Sequence, residues 1–294
     1  MRQGFSSQAA SCRGFHPRRV WSWSRPCRLA TILLLLTSCG KKVSRAENLD
    51  FAAYGDCRHQ VDIHRRIAKS IAASGARYVL VSGDLVDVPE DPAEWDEFRD
   101  ITKDLRKHPY YCAPGDHDLG EKKLYEKELG LDRLYFDKVE GDCHIFVLDS
   151  GGSFGEADQL DWLEKTAARS TARHRIAVFH HPPFGLHVRR ASQVEEIRPK
   201  IHPLLVKLKF CAAICGHHHA FYTTLRDGVR YVVTAGGGAS LYNLDASLAQ
   251  DGDQFRKFHH FVGFRFAGSG IVARVYDVDG IEDESLAFKV CQHP

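Results

Sequence analysis

Once the first 38 residues are set aside, the chain has no excess of positive charge. Those residues hold six arginines and no acidic residue, so 34 of the 40 basic residues face 38 acidic ones in the remainder, a balance of −4. Such a chain has no basic surface on which to build affinity for a nucleic-acid backbone. Long apolar runs are also missing: the leucine-rich stretch LATILLLLTSCG is too short to span a bilayer. No cysteine spacing matches a zinc ribbon, and no internal repeat is visible. No serine or cysteine sits in a nucleophile elbow, so covalent catalysis has no evident agent. What remains is a chain of 294 residues, 44% hydrophobic and 27% charged, long enough to bury a core as one large domain or two small ones.

The apolar run has the flanks of an export signal, with Arg18, Arg19, Arg25 and Arg28 before it. Leu36-Thr37-Ser38-Cys39 resembles a bacterial lipobox. The resemblance implies cleavage before Cys39 and its lipidation. Residues 1–38 are therefore expected to be a lipoprotein signal peptide, 39–48 a polar tether and 49–294 the globular domain. Gly40 after the cysteine implies the outer membrane, facing the periplasm, where the host has two membranes. Six cysteines remain beyond Cys39: Cys57, Cys112, Cys143, Cys211, Cys215 and Cys291. They read as small buried residues at strand ends, or as disulfide partners in an exported chain.

From Leu49 onward, short apolar runs rich in β-branched and aromatic residues alternate with amphipathic stretches. LDFAAY, ARYVLVS, PYYCAP, HIFVLDS, RIAVFH, FCAAIC, VRYVVTA and GIVARVYDV read as strands. Ile63, Ile67 and Ile71 predict one helix; Trp95, Phe98, Ile101 and Leu105, after an Asp91-Pro92 start, a second. Leu160, Leu163 and Ala167 predict a third, and Ile201, Leu204, Leu205 and Leu208 a fourth. The alternation implies α/β layering, and the tail after Gly228, strands without helices, implies completion by antiparallel strands.

Five successive strand exits carry groups able to bind metal: Gly55-Asp56, Gly83-Asp84, Gly115-Asp116-His117-Asp118, His180-His181-Pro182 and Gly216-His217-His218-His219. In open α/β sheets the carboxyl ends of the strands share one edge, where ligand crevices form. Singly, a Gly-Asp is a turn and a lone histidine is structural. Together, carboxylates and imidazoles gathered at one edge repel or go unsatisfied unless cations neutralise them. Mixed nitrogen and oxygen donors suit zinc, manganese or iron better than magnesium or calcium.

In this order the five segments resemble the calcineurin-like metallophosphoesterases. ADQLDWLE, VFHHPPF, GHHHAFYTTLRDGVRYVVTAGGGASLY and HHFVGF look like the purple-acid-phosphatase-like branch. The resemblance covers roughly residues 49 to 280. It implies a four-layer α-β-β-α sandwich with mixed sheets and two divalent or trivalent ions of manganese, zinc or iron. It also implies hydrolysis of phosphate monoesters or diesters by metal-activated water. Asp84 would bridge the metals, Asp56 and His219 would complete the first site, and Asp116, His180 and His217 would hold the second. His117 would be the acid at the leaving oxygen, oriented by Asp118, with His181 and His218 in the pocket wall.

Three positions depart from the family pattern. Arg58 stands where a second ligand of the first metal is expected, and His59, one place further on, is the less favoured substitute for that ligand. Asp116 replaces the usual asparagine, and Asp87 replaces the tyrosine that colours the purple enzymes. Arg58 would either bind a phosphate oxygen or pair with Asp116 or Asp87. His187, Arg189 and Arg190 would contact an anionic substrate or lie in a solvated loop. The expected partners are a small phosphorylated substrate and a membrane reached through lipidated Cys39, with no nucleic acid beyond nucleotide substrates. The alternative is a non-catalytic metal- or partner-binding lipoprotein on the same fold, its first metal site degenerate.

Overall fold

The computed structural model of the chain describes residues 44–120, 122–151, 154 and 157–292. The expected signal peptide and Cys39 lie outside them. The first elements are β1 (Phe51–Tyr54), α1 (Val61–Ala73), β2 (Tyr78–Val81), α2 (Pro92–Thr102), β3 (Tyr110–Cys112) and α3 (Lys122–Leu129). Next come β4 (Phe136–Glu140), β5 (Cys143–Val147), α4 (Ala157–Ala168), β6 (His174–Val178), α5 (Ala191–Lys207), β7 (Ala212–Cys215), β8 (Phe221–Arg226) and β9 (Val229–Thr234). The last are β10 (Gln254–Arg256), β11 (His260–Ala267), β12 (Gly270–Asp277) and β13 (Phe288–Gln292).

Two mixed sheets result, ordered β13-β12-β11-β1-β2-β3 and β10-β8-β9-β7-β6-β5-β4. In the first, β1, β2 and β3 are parallel and β11 returns antiparallel to β1. In the second, β5, β6, β7 and β9 are parallel, with antiparallel strands at both ends. Completion by antiparallel strands thus happens twice, once on each sheet.

The central strands β1, β2 and β7 are apolar and buried along their whole length because both faces are covered. Phe51, Ala53, Tyr78 and Leu80 pack between the sheets against Ile145, Val147, Ile176, Val178, Ile214 and Val232. Their neighbours Ala52, Tyr54, Val79 and Val81 face Ile67, Ile71, Trp95 and Phe98 of α1 and α2. On the far side Phe146, Ala177, Ala213 and Cys215 meet Leu163, Ala167, Ile197, Ile201 and Leu205 of α4 and α5. The layers are therefore α-β-β-α. α2 starts as its sequence dictates: the Asp91 side chain accepts from the Ala93 N–H and Pro92 opens the first turn. Its buried Trp95 and Phe98 contribute about 1.5–3 kcal/mol each by leaving water.

The polar stretch expected as a tether is docked from residue 44 on. Arg45 bridges Ile281, the Ala46 N–H donates to the Gly280 carbonyl at 2.8 Å, and Ala46 and Leu49 are buried. The Ala46 backbone thus pairs with the hydrogen-bonded turn that follows β12.

Candidate metal centre

Three of the five strand exits turn through a left-handed residue, and each of those residues is a candidate ligand. Asp56, Asp84 and His217 have φ of 55°, 56° and 66°, a left-handed conformation that costs a non-glycine residue about 1–3 kcal/mol. Neighbouring exits hold them there. The Asp56 N–H donates to the Gly83 carbonyl at 2.9 Å, and the Cys57 N–H to the Asp84 carbonyl at 3.0 Å. The His217 N–H donates to Asp56 Oδ1 at 2.9 Å. Two glycines are required by close approach: a Cβ on Gly115 would lie 2.2 Å from Asp84 Oδ1, and one on Gly216 2.6 Å from Asp56 Oδ2.

The donors converge in two groups of three, Asp56–Asp84–His219 and Asp116–His180–His217, each with its ligand atoms within 4.8 Å of one another. Every candidate ligand expected from the sequence is in one of them. His219 Nε2 is 3.2 Å from Asp56 Oδ1. His180 Nε2 is 3.0 Å from Asp116 Oδ1 and 3.4 Å from Asp84 Oδ1, so Asp84 stands between the groups. His217 presents Nδ1, 3.1 Å from Asp116 Oδ1.

Each imidazole is aimed by its other nitrogen. His180 Nδ1–H donates to the Ser82 carbonyl at 2.7 Å and His219 Nδ1–H to the Ser240 carbonyl at 2.8 Å. His217 Nε2 meets Gln193 Oε1 of α5 at 3.0 Å. Such outer hydrogen bonds fix the tautomer and orientation of a metal-binding histidine. Gln193 escaped the sequence reading because a glutamine early in an amphipathic helix carries no distinguishing pattern. Tyr242, stacked 4.1 Å from His219 between ring centroids, lies inside the quoted GGGASLY but gave no sign of its role.

The balance of charge among these groups shows why a cation fits. Asp56 is fully buried; burial opposes its charge, yet His219, His180 and His217 hold its carboxyl below the usual range. Asp116 is held far lower, burial again being outweighed, here by hydrogen bonds to His180 and His217. Burial also opposes charge on His180, but Asp84, Asp116 and Asp56 push it up to about 10. His181 drops to about 2, by burial and then by the neighbouring His180 and His217, and burial lowers His217 and His218. The carboxylates thus hold a proton on His180 where a metal would otherwise balance them. His181 stays outside the donor groups, 3.7 Å from Asp116 Oδ1, its Nδ1 paired with the Ser150 hydroxyl.

Three roles expected from the sequence change. Asp118 does not orient His117: its buried carboxylate accepts the N–H groups of Gly115 and Asp84 on Oδ2 at 2.8 and 2.9 Å, and of Leu85 on Oδ1 at 2.7 Å. It pins two strand exits together, as a carboxylate at unpaired turn amides does. His117 is instead 3.1 Å from Asp87 Oδ1 through Nδ1. Arg58 pairs with Asp87 at 2.6 Å as expected, but its second partner is Asp84 Oδ2, at 3.1 Å, rather than Asp116. The shift follows from burial, since Arg58 is 8% exposed and Asp116 lies at the open side of the site, 41% exposed. His59 does not replace the missing ligand; its Nε2 is 3.0 Å from Asp87 Oδ1. His187 stacks on Tyr242 at 4.6 Å, and Arg190 is close enough for its charge to depress His181, His217 and His218.

Carboxylates and imidazoles gathered at the strand exits of a four-layer sandwich define a metallophosphoesterase-type α/β protein. The chain belongs to the Calcineurin-like phosphoesterase family, matching it over residues 49–221. It is 24% identical to tartrate-resistant acid phosphatase type 5 of Oryctolagus cuniculus, the match covering 59% of this chain and 65% of that protein. It spans less than two thirds of that relative's length. Two solved structures share the fold. A purple acid phosphatase from seeds of yellow lupin (Lupinus luteus) has a TM-score of 0.70 at 16% identity, covering 81% of this chain and 53% of that one. The anchor in the inner membrane complex of Plasmodium has a TM-score of 0.67 at 15% identity, covering 83% and 89%. Likeness to two acid phosphatases agrees with the purple-acid-phosphatase-like branch expected from the sequence.

Proposed function

We propose that the protein is a phosphoesterase that hydrolyses phosphate monoesters or diesters with water activated at a binuclear metal centre. The convergence of six donors from five strand exits into two groups of three carries this reading. Asp56, Asp84 and His219 would hold one ion, and Asp116, His180 and His217 the other, with Asp84 shared. When bound, such ions lower the pKa of a coordinated water and polarise phosphoryl oxygens. Manganese, zinc and iron all suit the donor set. Asp87, in the place of the tyrosine of purple enzymes, gives no tyrosine–iron colour.

His117 is the group to move the proton. It is 36% exposed at the mouth, and Asp87 fixes its Nδ1, leaving Nε2 to hand a proton to the departing oxygen. Asp118 and Arg58 act on the frame rather than on substrate: Asp118 fixes the backbone on either side of Asp84, and Arg58 holds the Asp84 carboxylate from behind. The substrate is a small phosphorylated molecule, with the Arg190 guanidinium supplying positive charge beside neutral histidines of the wall. The arginine-rich leader and LTSC support export and anchoring through lipidated Cys39, facing the periplasm at the outer membrane.

The test is a metal count on the mature protein joined to hydrolysis of aromatic phosphate mono- and diesters with manganese, zinc or iron. Two metals per chain whose binding depends on Asp84, and turnover lost in Asp84→Asn, are expected. Fewer than two metals together with no turnover above that variant would favour the second reading, a non-catalytic lipoprotein on the same fold. One observation supports that second reading: Arg58 occupies the place of a first-site ligand.

A further inference from the structure

At the sheet edge opposite the candidate metal centre, His174, Cys211 and Cys291 form a third group of metal-capable side chains. His174 opens β6, and about six residues of extended chain, about 20 Å, separate it from His180. Cys211 immediately precedes β7, and Cys291 lies on β13 of the other sheet. His174 Nδ1 is 3.5 Å from Cys211 Sγ and 3.4 Å from Cys291 Sγ, and the three donor atoms all lie within 4.8 Å of one another. We infer that His174, Cys211 and Cys291 form a zinc site that clamps the two sheets together.

The geometry is that of a tetrahedral face. Zinc bound at ~2.3 Å from sulfur and ~2.0 Å from nitrogen separates neighbouring sulfur and nitrogen donors by ~3.5 Å. The two nitrogen–sulfur spacings already meet this. All three donors sit on sheet edges: the His174 N–H donates to the Asp142 carbonyl at 3.0 Å, and the Cys211 N–H to the Arg175 carbonyl at 2.8 Å. Two thiolates and one imidazole select a thiophilic ion over magnesium or calcium. The thiolates cancel its charge, so Arg230 and Lys289 nearby meet a neutral site. A groove of about 580 Å³ lined by both cysteines, Phe210, Val229, Arg230 and Lys289 supplies the entry path and a fourth coordination place for water. Binding releases the two thiol protons to solvent.

Cobalt(II) is the probe, because thiolate ligands give a near-ultraviolet charge-transfer band that nitrogen and oxygen donors do not. Adding it to the reduced, metal-depleted full chain produces the band, and zinc abolishes it. Cys211→Ser and Cys291→Ser each lose the band, while Asp84→Asn keeps it. Should the serine variants misfold, the wild-type chain still decides: zinc slows alkylation of Cys211 and Cys291 about tenfold or more, and does so in Asp84→Asn as well. A folded, reduced chain with no such band and no zinc protection overturns the inference. So does peptide mapping that finds Cys211 disulfide-linked to Cys291 in the chain purified without reductant.

Discussion

The two halves of the candidate metal centre are built from the same sheet edge but solve its charge problem differently. In one, Asp116 faces solvent and two imidazoles, His180 and His217, complete the donors, each aimed by an outer hydrogen bond. In the other, Asp56 and Asp84 are essentially buried, His219 is the lone imidazole, and the guanidinium of Arg58 lies 3.1 Å from Asp84 Oδ2. Arginine keeps its charge at every relevant pH and does not coordinate metal. The Asp84, Asp56 and Asp87 carboxylates raise its pKa further against the effect of burial. With metal bound as proposed, Arg58 would therefore compete with it for the Asp84 carboxylate. The half neutralised by removable protons gains most from a metal, and the half neutralised by a fixed side-chain cation gains least.

The largest expected effect comes from the shared residue. Asp84→Asn should lower kcat/KM about a thousandfold, about 4 kcal/mol of transition-state stabilisation, and reduce metal content in both halves. Retention in that variant of one tightly bound metal beyond any ion at the cysteine–histidine group would show that the halves are independent. Next is His117→Gln, expected to lower kcat about a hundredfold for alkyl phosphates and much less for aryl phosphates, whose leaving groups need no proton. Equal losses on both substrate types would remove His117 from proton transfer. A smaller effect separates the halves directly: Arg58→His should tighten metal binding in the half containing His219 about tenfold, read by calorimetric titration. If both halves keep their affinities, Arg58 is a brace for the turn and not a competitor.

Much of this arrangement was legible because ligands at strand exits sit beside apolar runs that announce the strands. The sequence pattern marks β1, β2, β3, β5, β6, β7, β9 and β12, and the residues following β1, β2, β3, β6 and β7 supply all six donors. Strands β8, β10 and β11 have no such mark, being short, or mixing threonine, glycine and charge in ways that only pairing explains. The role of Asp118 was hidden for a different reason. Sequence gives the proximity of His117 and Asp118 but not the left-handed turn at Asp84, whose exposed amides Asp118 satisfies. Arg58 was visible as an anomaly, yet its partner depends on which carboxylate is buried, a property of the assembled sheet edge. The cysteine–histidine group was invisible because its members are far apart in sequence and meet only when the two sheets stack.

The smallest expected effect probes the layer beneath Arg58. His64 of α1 is buried and helps line the pocket that also touches Arg58, His59 and Asp87. Its Nε2 is 3.1 Å from the Tyr54 hydroxyl, which meets the Tyr110 hydroxyl at 2.7 Å. Burial, with the charge of Arg65 in support, lowers its pKa to about 3. The unfolded chain takes up this proton near pH 6.5, whereas the folded protein refuses it down to about 3. Stability contributed by the neutral, buried ring is therefore present above pH 6.5 and lost on acidification, at up to about 1.4 kcal/mol per pH unit. His64→Gln keeps a hydrogen-bonding group near Tyr54 without a titrating one, so denaturant melts of this variant should show a shallower decline below pH 6.5. Metal loss from the half holding His180 also weakens the protein in acid, but added metal opposes that loss and leaves the His64 slope in place. An unaltered slope in His64→Gln at saturating metal would move the acid sensitivity to the other buried imidazoles, His260 first, which burial lowers to about 4.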